Sequence, residues 1–359
     1  MTTLRVIVDD IVSGGPGRLP GYAEDLVRAL LATTPRGADV AGFVAASPED
    51  DYALLRERLP GLKTLHKSAL TRRQLQAAWH RGFTPLPGSG VVHAPSLFAP
   101  LRKHDRATSP GDQMVVTVHD AIAWTHPELL PSRVASWIRA MGSRAERYAD
   151  AVVVPSHAVA ADLGEHLELA GRIRVIGGAP STALAAAADA AERRTRLELP
   201  ERYAVAMIEG DALNGFARLA AASPGLPIVV LAGAGDAAVV EGAEAFTVVE
   251  DADDADRSAV LAGAAVFVQP SIAAGFGAAM LDAMSLGVPV VATALPAFEE
   301  TAADAALLVS SDDDLGEAIR GLLDDEPARE RLAIVGRDRS KAFTWRDAAE
   351  KVWQLHADL

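Results

Sequence analysis

The sequence predicts an α/β chain of two Rossmann-like, doubly wound domains. Three observations carry that prediction. Short runs rich in valine, isoleucine and alanine alternate with stretches of helical periodicity, the pattern of buried parallel strands joined by crossover helices. At 359 residues the chain exceeds the size at which single cores stop growing, so two domains are expected. Two apolar runs of strand type are followed by glycine-rich turns that open helices, at 13–21 and 271–277, where such folds hold phosphates and sugars.

Residues 4–8 read as the first strand, followed by the loop Ser13-Gly14-Gly15-Pro16-Gly17-Arg18-Leu19-Pro20-Gly21 and a helix carrying Tyr22, Leu26, Ala29 and Leu30 on one face. Gly15-x-Gly17-x-x-x-Gly21 has the outline of a dinucleotide fingerprint, and so of a nicotinamide-dependent reductase. We set that aside, because six residues separate the strand from Gly15 and because Pro16 and Pro20 remove amide donors that a pyrophosphate would use. Residues 40–45 form a second strand and 50–58 an amphipathic helix ended by Pro60-Gly61.

In the basic segment 63–83, Lys63, His66, Lys67, Arg72, Arg73, His80 and Arg81 interleave with Leu65, Leu70, Leu75, Trp79 and Phe83. Two readings stand: a peripheral contact with an anionic membrane surface or acidic acceptor, or a solvated helix face with Leu75 and Trp79 in the core. Residues 91–94 and 115–119 are strands. His119-Asp120 sits at the carboxyl end of the latter, the rim where parallel sheets bind ligands. His119 could act there or satisfy a loop carbonyl, and Asp120 could orient the ring or cap the next turn.

A helix at 133–149, a strand at 151–154, a helix capped by Ser156 and a strand at 173–176 complete the first domain. Gly177-Gly178-Ala179-Pro180 marks the interdomain hinge, and the alanine-rich stretch 183–191 is helix or linker. Strands at 203–208, 228–232, 246–249 and 265–268 build the second sheet. Glu250, Asp251, Asp253, Asp254 and Asp256 lack calcium-loop spacing and read as a solvated helix entry, with no metal site. Residues 271–291 form a Gly turn, a helix with Met280, Leu281 and Met284, and a short strand after Gly287 and Pro289. Helices at 315–323 and 328–335 follow.

Composition bounds the function. The first 180 residues carry 20 Lys+Arg against 18 Asp+Glu, and the remainder 14 against 30. An acidic second domain repels nucleic acid, so no nucleic-acid partner is expected. The absence of cysteine excludes disulfides, thiolate metal sites and Cys nucleophiles. Acidic residues interrupt the N-terminal apolar run and no stretch reaches spanning length, so a cytoplasmic protein is expected.

The run Pro270-Ser271 through Gly275-Phe276-Gly277, Asp282-Ala283-Met284 and Gly287-Val288-Pro289-Val290-Val291 resembles the donor-site signature of family-4 (group 1) glycosyltransferases, which have the GT-B fold. Further matches follow in family order: Gly14-Gly15-x-Gly17-Arg18, Val118-His119-Asp120-Ala121-Ile122 with Pro127, Ser156 after its strand, and Phe343-Thr344-Trp345 before the last helix. The resemblance implies two Rossmann-like domains facing across a cleft: an acceptor-side domain, 1–178, a nucleotide-sugar domain, 179–341, and a helix, 342–359, returning to the first. It implies that His119 reaches the donor sugar, with Asp120 beside it. It places Gly15, Gly17, Asn214, Gly275, Phe276, Gly277 and Asp282 at the donor.

The sequence also departs from the signature. The family has a Glu before Gly-Phe-Gly and another eight residues on; here these are Ala274 and Asp282. The Arg-Lys expected before Asn214 is Ala212-Leu213, beside Glu209 and Asp211. The expected function is retaining transfer of a sugar from a nucleotide-diphosphate sugar to the hydroxyl of a sugar or lipid-linked acceptor, as in cell-envelope or exopolysaccharide synthesis. The nucleotide sugar is the co-substrate and no other cofactor is expected. The alternative is a catalytically impaired relative acting as a partner or scaffold subunit.

Overall fold

The structure, a computed structural model, describes residues 2–13, 19–84, 90–105, 108, 111–185, 187–208, 215–222, 225–233, 245–310 and 312–359. These form two compact units. Unit 1 comprises Met1–Gly178 and Thr344–Leu359, and unit 2 comprises Ala179–Phe343.

Unit 1 is built on seven strands: β1 (Thr2–Ile7), β2 (Ala38–Ala46), β3 (Thr64–Thr71), β4 (Val91–Ala94), β5 (Gln113–Thr117), β6 (Ala151–Val154) and β7 (Ile173–Val175). Their order is β3-β2-β1-β4-β5-β6-β7, and every pairing is parallel. The doubly wound expectation holds. The central strands β4 and β6 are short and buried on both faces, so they do not alternate: β6 is a continuous apolar run and β4 is broken only by the buried His93.

The segment 63–83 corrects the single-helix reading. Its first half is the edge strand β3, whose residues alternate between half-buried and exposed. Its second half is α3 (Arg72–His80), opened by a capping box between Thr71 and Gln74. Strong local charge concealed a period-two pattern in which His66, Ser68 and Leu70 are half-buried and Lys67, Ala69 and Thr71 exposed. Leu75 and Trp79 are buried as expected, whereas Phe83 is exposed.

Unit 2 has six strands: β8 (Ala204–Met207), β9 (Ile228–Ala232), β10 (Phe246–Glu250), β11 (Val266–Gln269), β12 (Val290–Thr293) and β13 (Leu307–Val309). The order is β10-β9-β8-β11-β12-β13, again parallel. Period-two geometry divides its apolar residues between two cores. Val205, Val229, Phe267 and Val290 pack with Met280 and Met284 of α10 (Ala278–Ser285), while Ala204, Val230, Val268 and Val291 pack with Leu315 and Ile319 of α12 (Asp312–Asp324).

The acidic run after β10 is only partly solvated. Asp253 caps α9 (Asp254–Ala262), but Asp256 is buried and accepts hydrogen bonds from Arg193 and Arg196 of α7 (Ala190–Arg196). That ion pair across two helices could not be read from the local charge run.

The last helix, α14 (Trp345–Asp358), belongs to unit 1 and packs on α1 (Leu19–Ala32). Ala348, Ala349, Val352 and Leu355 are its buried face, and Trp353 Nε1 donates to the Leu30 carbonyl at 3.2 Å. A histidine pair pins its end. Gln113 Nε2 donates to the His356 carbonyl at 3.2 Å, and Gln113 Oε1 lies 3.1 Å from His356 Nδ1. An amide oxygen only accepts, so Nδ1 carries the proton and Nε2 takes one from His93 Nδ1 at 3.3 Å. Burial holds His93 well below the ordinary histidine range and His356 down at about 4.

Both rings are therefore neutral in the folded unit. As pH falls below about 6.5 the unfolded chain takes up protons that the folded one refuses, so stability is full above that value and declines towards pH 4. The His356 contribution is of order 3 kcal/mol. Urea unfolding of the intact chain between pH 7 and 4 should show this loss, and H356Q should flatten the slope while lowering stability at pH 7.

Candidate functional site

In unit 1 the winding reverses between β1 and β4, so the loops leaving these strands diverge at the carboxyl edge. β1 runs directly into a 3-10 turn, Asp9–Ile11, and two aspartates are thereby buried at that edge. All four of their carboxylate oxygens are engaged. Asp9 accepts from the Ala45 amide at 2.9 Å and from Arg72 Nη1; Asp10 accepts from Arg72 Nη2 at 2.7 Å and from the Ser96 hydroxyl at 2.7 Å. Arg72, the first residue of α3, lies with its guanidinium carbon 4.3 Å from the centre of the Phe98 ring. Burial opposes its charge, but Asp10 and Asp9 outweigh that and raise its pKa.

This clamp positions the loop after β4. Ser96 is held by Asp10 and in turn accepts the Phe98 amide at 3.2 Å, and the neighbouring Pro95 carbonyl lies 2.7 Å from His119 Nε2. A carbonyl can only accept, so His119 carries its proton on Nε2 and presents a lone pair at Nδ1. Burial lowers the His119 pKa against the opposing effects of the Pro95 carbonyl, Asp120 and Asp10. Asp120 accepts the Ile122 amide at 3.0 Å, closing the turn that leads into the short helix α4 (Ile122–Thr125), and burial raises its pKa. Of the two roles open to Asp120, the turn cap is the one its geometry displays.

In unit 2 the winding reverses between β8 and β11. Residues 209–214 lie outside the described residues, and with them Asn214, Ala212 and Leu213; Gly15 and Gly17 of unit 1 lie outside them too. The loop after β8 re-enters at Gly215, with φ +64°, where an added Cβ would stand 2.0 Å from the Pro270 carbonyl oxygen. Only glycine permits that approach of two backbones.

After β11 the Gly-Phe-Gly turn is half-buried. The Phe276 carbonyl accepts the Thr301 hydroxyl at 2.7 Å, and its ring meets Phe343 edge-on at 5.7 Å. Gly277, at φ 90°, is the N-cap of α10, and a Cβ there would press on Phe298 and Met280 at 3.0 Å. Gly275, Phe276 and Gly277 thus stand together at the start of α10. Ala274 is half-buried against the core that also holds Phe276. Asp282 is fully buried, and its Oδ1 accepts the Ser181 amide at 2.8 Å, so the carboxylate ties the start of unit 2 to α10.

Two doubly wound parallel sheets in one chain, with a histidine at one carboxyl edge and a glycine-capped helix at the other, define the GT-B class of transferases. Residues 21–179 match the model described as Glycosyltransferase Family 4, and residues 224–339 match that described as Glycosyl transferases group 1. Each unit carries its own match, and the chain belongs to this glycosyltransferase family.

Among curated relatives, the chain is 31% identical over 109 residues to the phosphatidyl-myo-inositol mannosyltransferase of Mycobacterium leprae, which covers 29% of each chain. It is 36% identical over 94 residues to O-antigen chain mannosyltransferase B of Escherichia coli, covering 26% of this chain and 25% of that one. These matches span less than a third of the relatives' lengths. Among solved structures, Anabaena HepE in complex with UDP and glucose superposes with a TM-score of 0.74 at 15% identity, covering 100% of both chains, which shows the fold.

Asp9, Asp10, Arg72 and Ser96 were not anticipated as a group. The available signal was two acids directly behind an apolar strand, a placement that folding makes costly unless a cation arrives from elsewhere. Removing that cation should expose the cost. R72M is expected to destabilise unit 1 by roughly 2–4 kcal/mol in urea unfolding. Adding D9N and D10N to R72M should recover part of the loss; equal loss in the single and triple variants would contradict the clamp.

Proposed function

We propose that the chain transfers a sugar from a nucleotide-diphosphate sugar to the hydroxyl of a sugar or lipid-linked acceptor, with retention of anomeric configuration. The observation that carries this reading is His119, fixed as a neutral ring with its Nδ1 lone pair presented at the carboxyl edge of a family-4 unit. In such a transfer, positive charge grows on the anomeric carbon and negative charge on the leaving diphosphate. A preorganised acceptor held against a sugar hydroxyl orients the ring without competing for a proton. On unit 2, the amides at the start of α10 serve the donor, with Gly275, Phe276 and Gly277 setting their direction. Asp282 is the ribose contact of this reading, and, being fully buried with Oδ1 held by the Ser181 amide, it requires the 181 turn to move. The donor is the co-substrate and the reading includes no further cofactor. The reaction is placed in the cytoplasm, in the assembly of envelope or exopolysaccharide glycans.

Calorimetry with uridine and guanosine diphosphates and their sugars tests this. Binding below millimolar concentration is expected for at least one nucleotide, and H119A should lower turnover about a hundredfold. No heat of binding with any of them at millimolar ligand would overturn the reading.

The second reading is a partner or scaffold subunit that keeps the fold without the chemistry. It is favoured by Ala274, which packs against the core where the family has a carboxylate, and by Ala212 and Leu213 in place of two cations. On that reading A274E combined with A212R and L213K creates nucleotide binding that the natural chain lacks. Turnover by the natural chain would exclude it.

A further inference from the structure

We propose that Tyr22, backed by Trp345 at the start of α14, is a positioning residue for His119. This rests on the reading above in one respect only, that the orientation of His119 matters to sugar transfer. The single hydrogen bond from Nε2 to the Pro95 carbonyl fixes the tautomer and one end of the ring but leaves the imidazole free to swivel about that contact. Tyr22 removes this freedom. Its ring meets the imidazole edge-to-face, with centroids 4.6 Å apart and planes at 88°. Behind it, Trp345 meets Tyr22 at 5.4 Å and 67°.

A third segment closes on the same rings. At Gly178 an added Cβ would lie 3.3 Å from Trp345 Cη2 and 3.5 Å from Tyr22 Cδ2, so the backbone itself is packed against the stack. Gly178 is the last residue of the first segment of unit 1, and Thr344, just before Trp345, is where the chain rejoins it. The orientation of His119 is thus set where the polypeptide leaves unit 1 and where it returns. Neither point is near His119 in sequence.

The groups facing His119 are Tyr22 from α1, the Pro95 carbonyl from the loop after β4, Asp10 from the turn after β1, and its neighbour Asp120. Burial pushes the Tyr22 phenol up to about 12, so it stays neutral and acts through its ring rather than its charge. Edge-to-face pairs of this kind contribute beyond the area they bury, and they fix the angle between rings as well as the distance.

The test uses the full chain with nitrogen-15-labelled histidine. In the natural protein, His119 should give the ring-nitrogen signature of an Nε2–H tautomer, with a cross-peak between the Tyr22 and His119 rings. Y22L should leave the Nε2–H tautomer in place, since the Pro95 carbonyl sets it, but shift the His119 ring-proton signals as the imidazole swivels, raise the His119 titration midpoint, and reduce kcat at least tenfold with less than a threefold change in the donor KM. Y22F should restore the ring-proton shifts and most of the turnover, because it returns the ring without the hydroxyl. W345L should shift the same signals by a smaller amount, and W345F should not.

Unchanged His119 ring-proton shifts in Y22L would overturn the proposal. So would a Y22F as defective as Y22L, since the hydroxyl would then be the working group. If Y22L does not fold, the cross-peak in the natural chain and the W345L to W345F comparison decide the matter. The ring signals need no substrate, so failure of the transferase reading leaves this test intact. Conversely, unaltered turnover in H119A would remove that reading without touching the ring stack.

Discussion

The Arg72 bridge between Asp9 and Asp10 is the interaction on which the rest of unit 1 depends. Two carboxylates buried side by side repel one another and lose their hydration, and a guanidinium fork offsets both costs because it is planar and presents paired donors. Its consequences reach the ends of β1, β2 and β4 at that edge. Asp9 holds the end of β2 through the Ala45 amide, Arg72 anchors α3 to the turn after β1, and Asp10 fixes the loop after β4 through Ser96. The Pro95 carbonyl that sets the His119 tautomer is one residue from that serine. The histidine therefore takes its tautomer from a loop that this ion pair anchors.

At the corresponding edge of unit 2, backbone packing and glycine geometry do much of the positioning. Close approach is achieved by backbone at Gly215 and Pro270, and the helix start at Gly277 is shaped by Phe298, Met280 and the Thr301 hydroxyl. Amide dipoles aimed in this way suit a phosphate-bearing ligand. The charges around them are another matter. Unit 2 lies in the strongly acidic half of the chain, and Ala274 stands against the core where the family has a carboxylate. A donor held there would depend on short-range amide geometry rather than long-range attraction, and that is why the missing cations weigh on the question of activity without disturbing the fold.

Much of the fold was legible because parallel sheets write themselves plainly into sequence. Strands such as 151–154 and 228–232 are buried on both faces, so they appear as uninterrupted apolar runs, and glycines mark the turns between them and the helices. Edge strand β3 was hidden for the opposite reason. It is half in water, its alternation carries lysine and histidine, and the adjacent helix shares the same composition. The acidic run before α9 misled similarly, since only the approach of α7 shows that Asp256 is paired and buried.

By itself the sequence determined the doubly wound class, the glycines that permit close backbone approach, and the residues that mark the family, because each follows from local geometry or from short motifs. Only the tertiary structure decided which proton His119 carries, that Asp120 caps a turn, that Asp282 ties the 181 turn to α10, and that Asp9, Asp10 and Arg72 form one unit. Those facts depend on groups far apart in the chain. Asp10 and Arg72 are 62 residues apart, and Tyr22 meets a tryptophan near the other end of the polypeptide. Hydrogen bonds and ring contacts act over a few ångströms, and sequence separation carries no information about which distant groups the sheet will bring within that range.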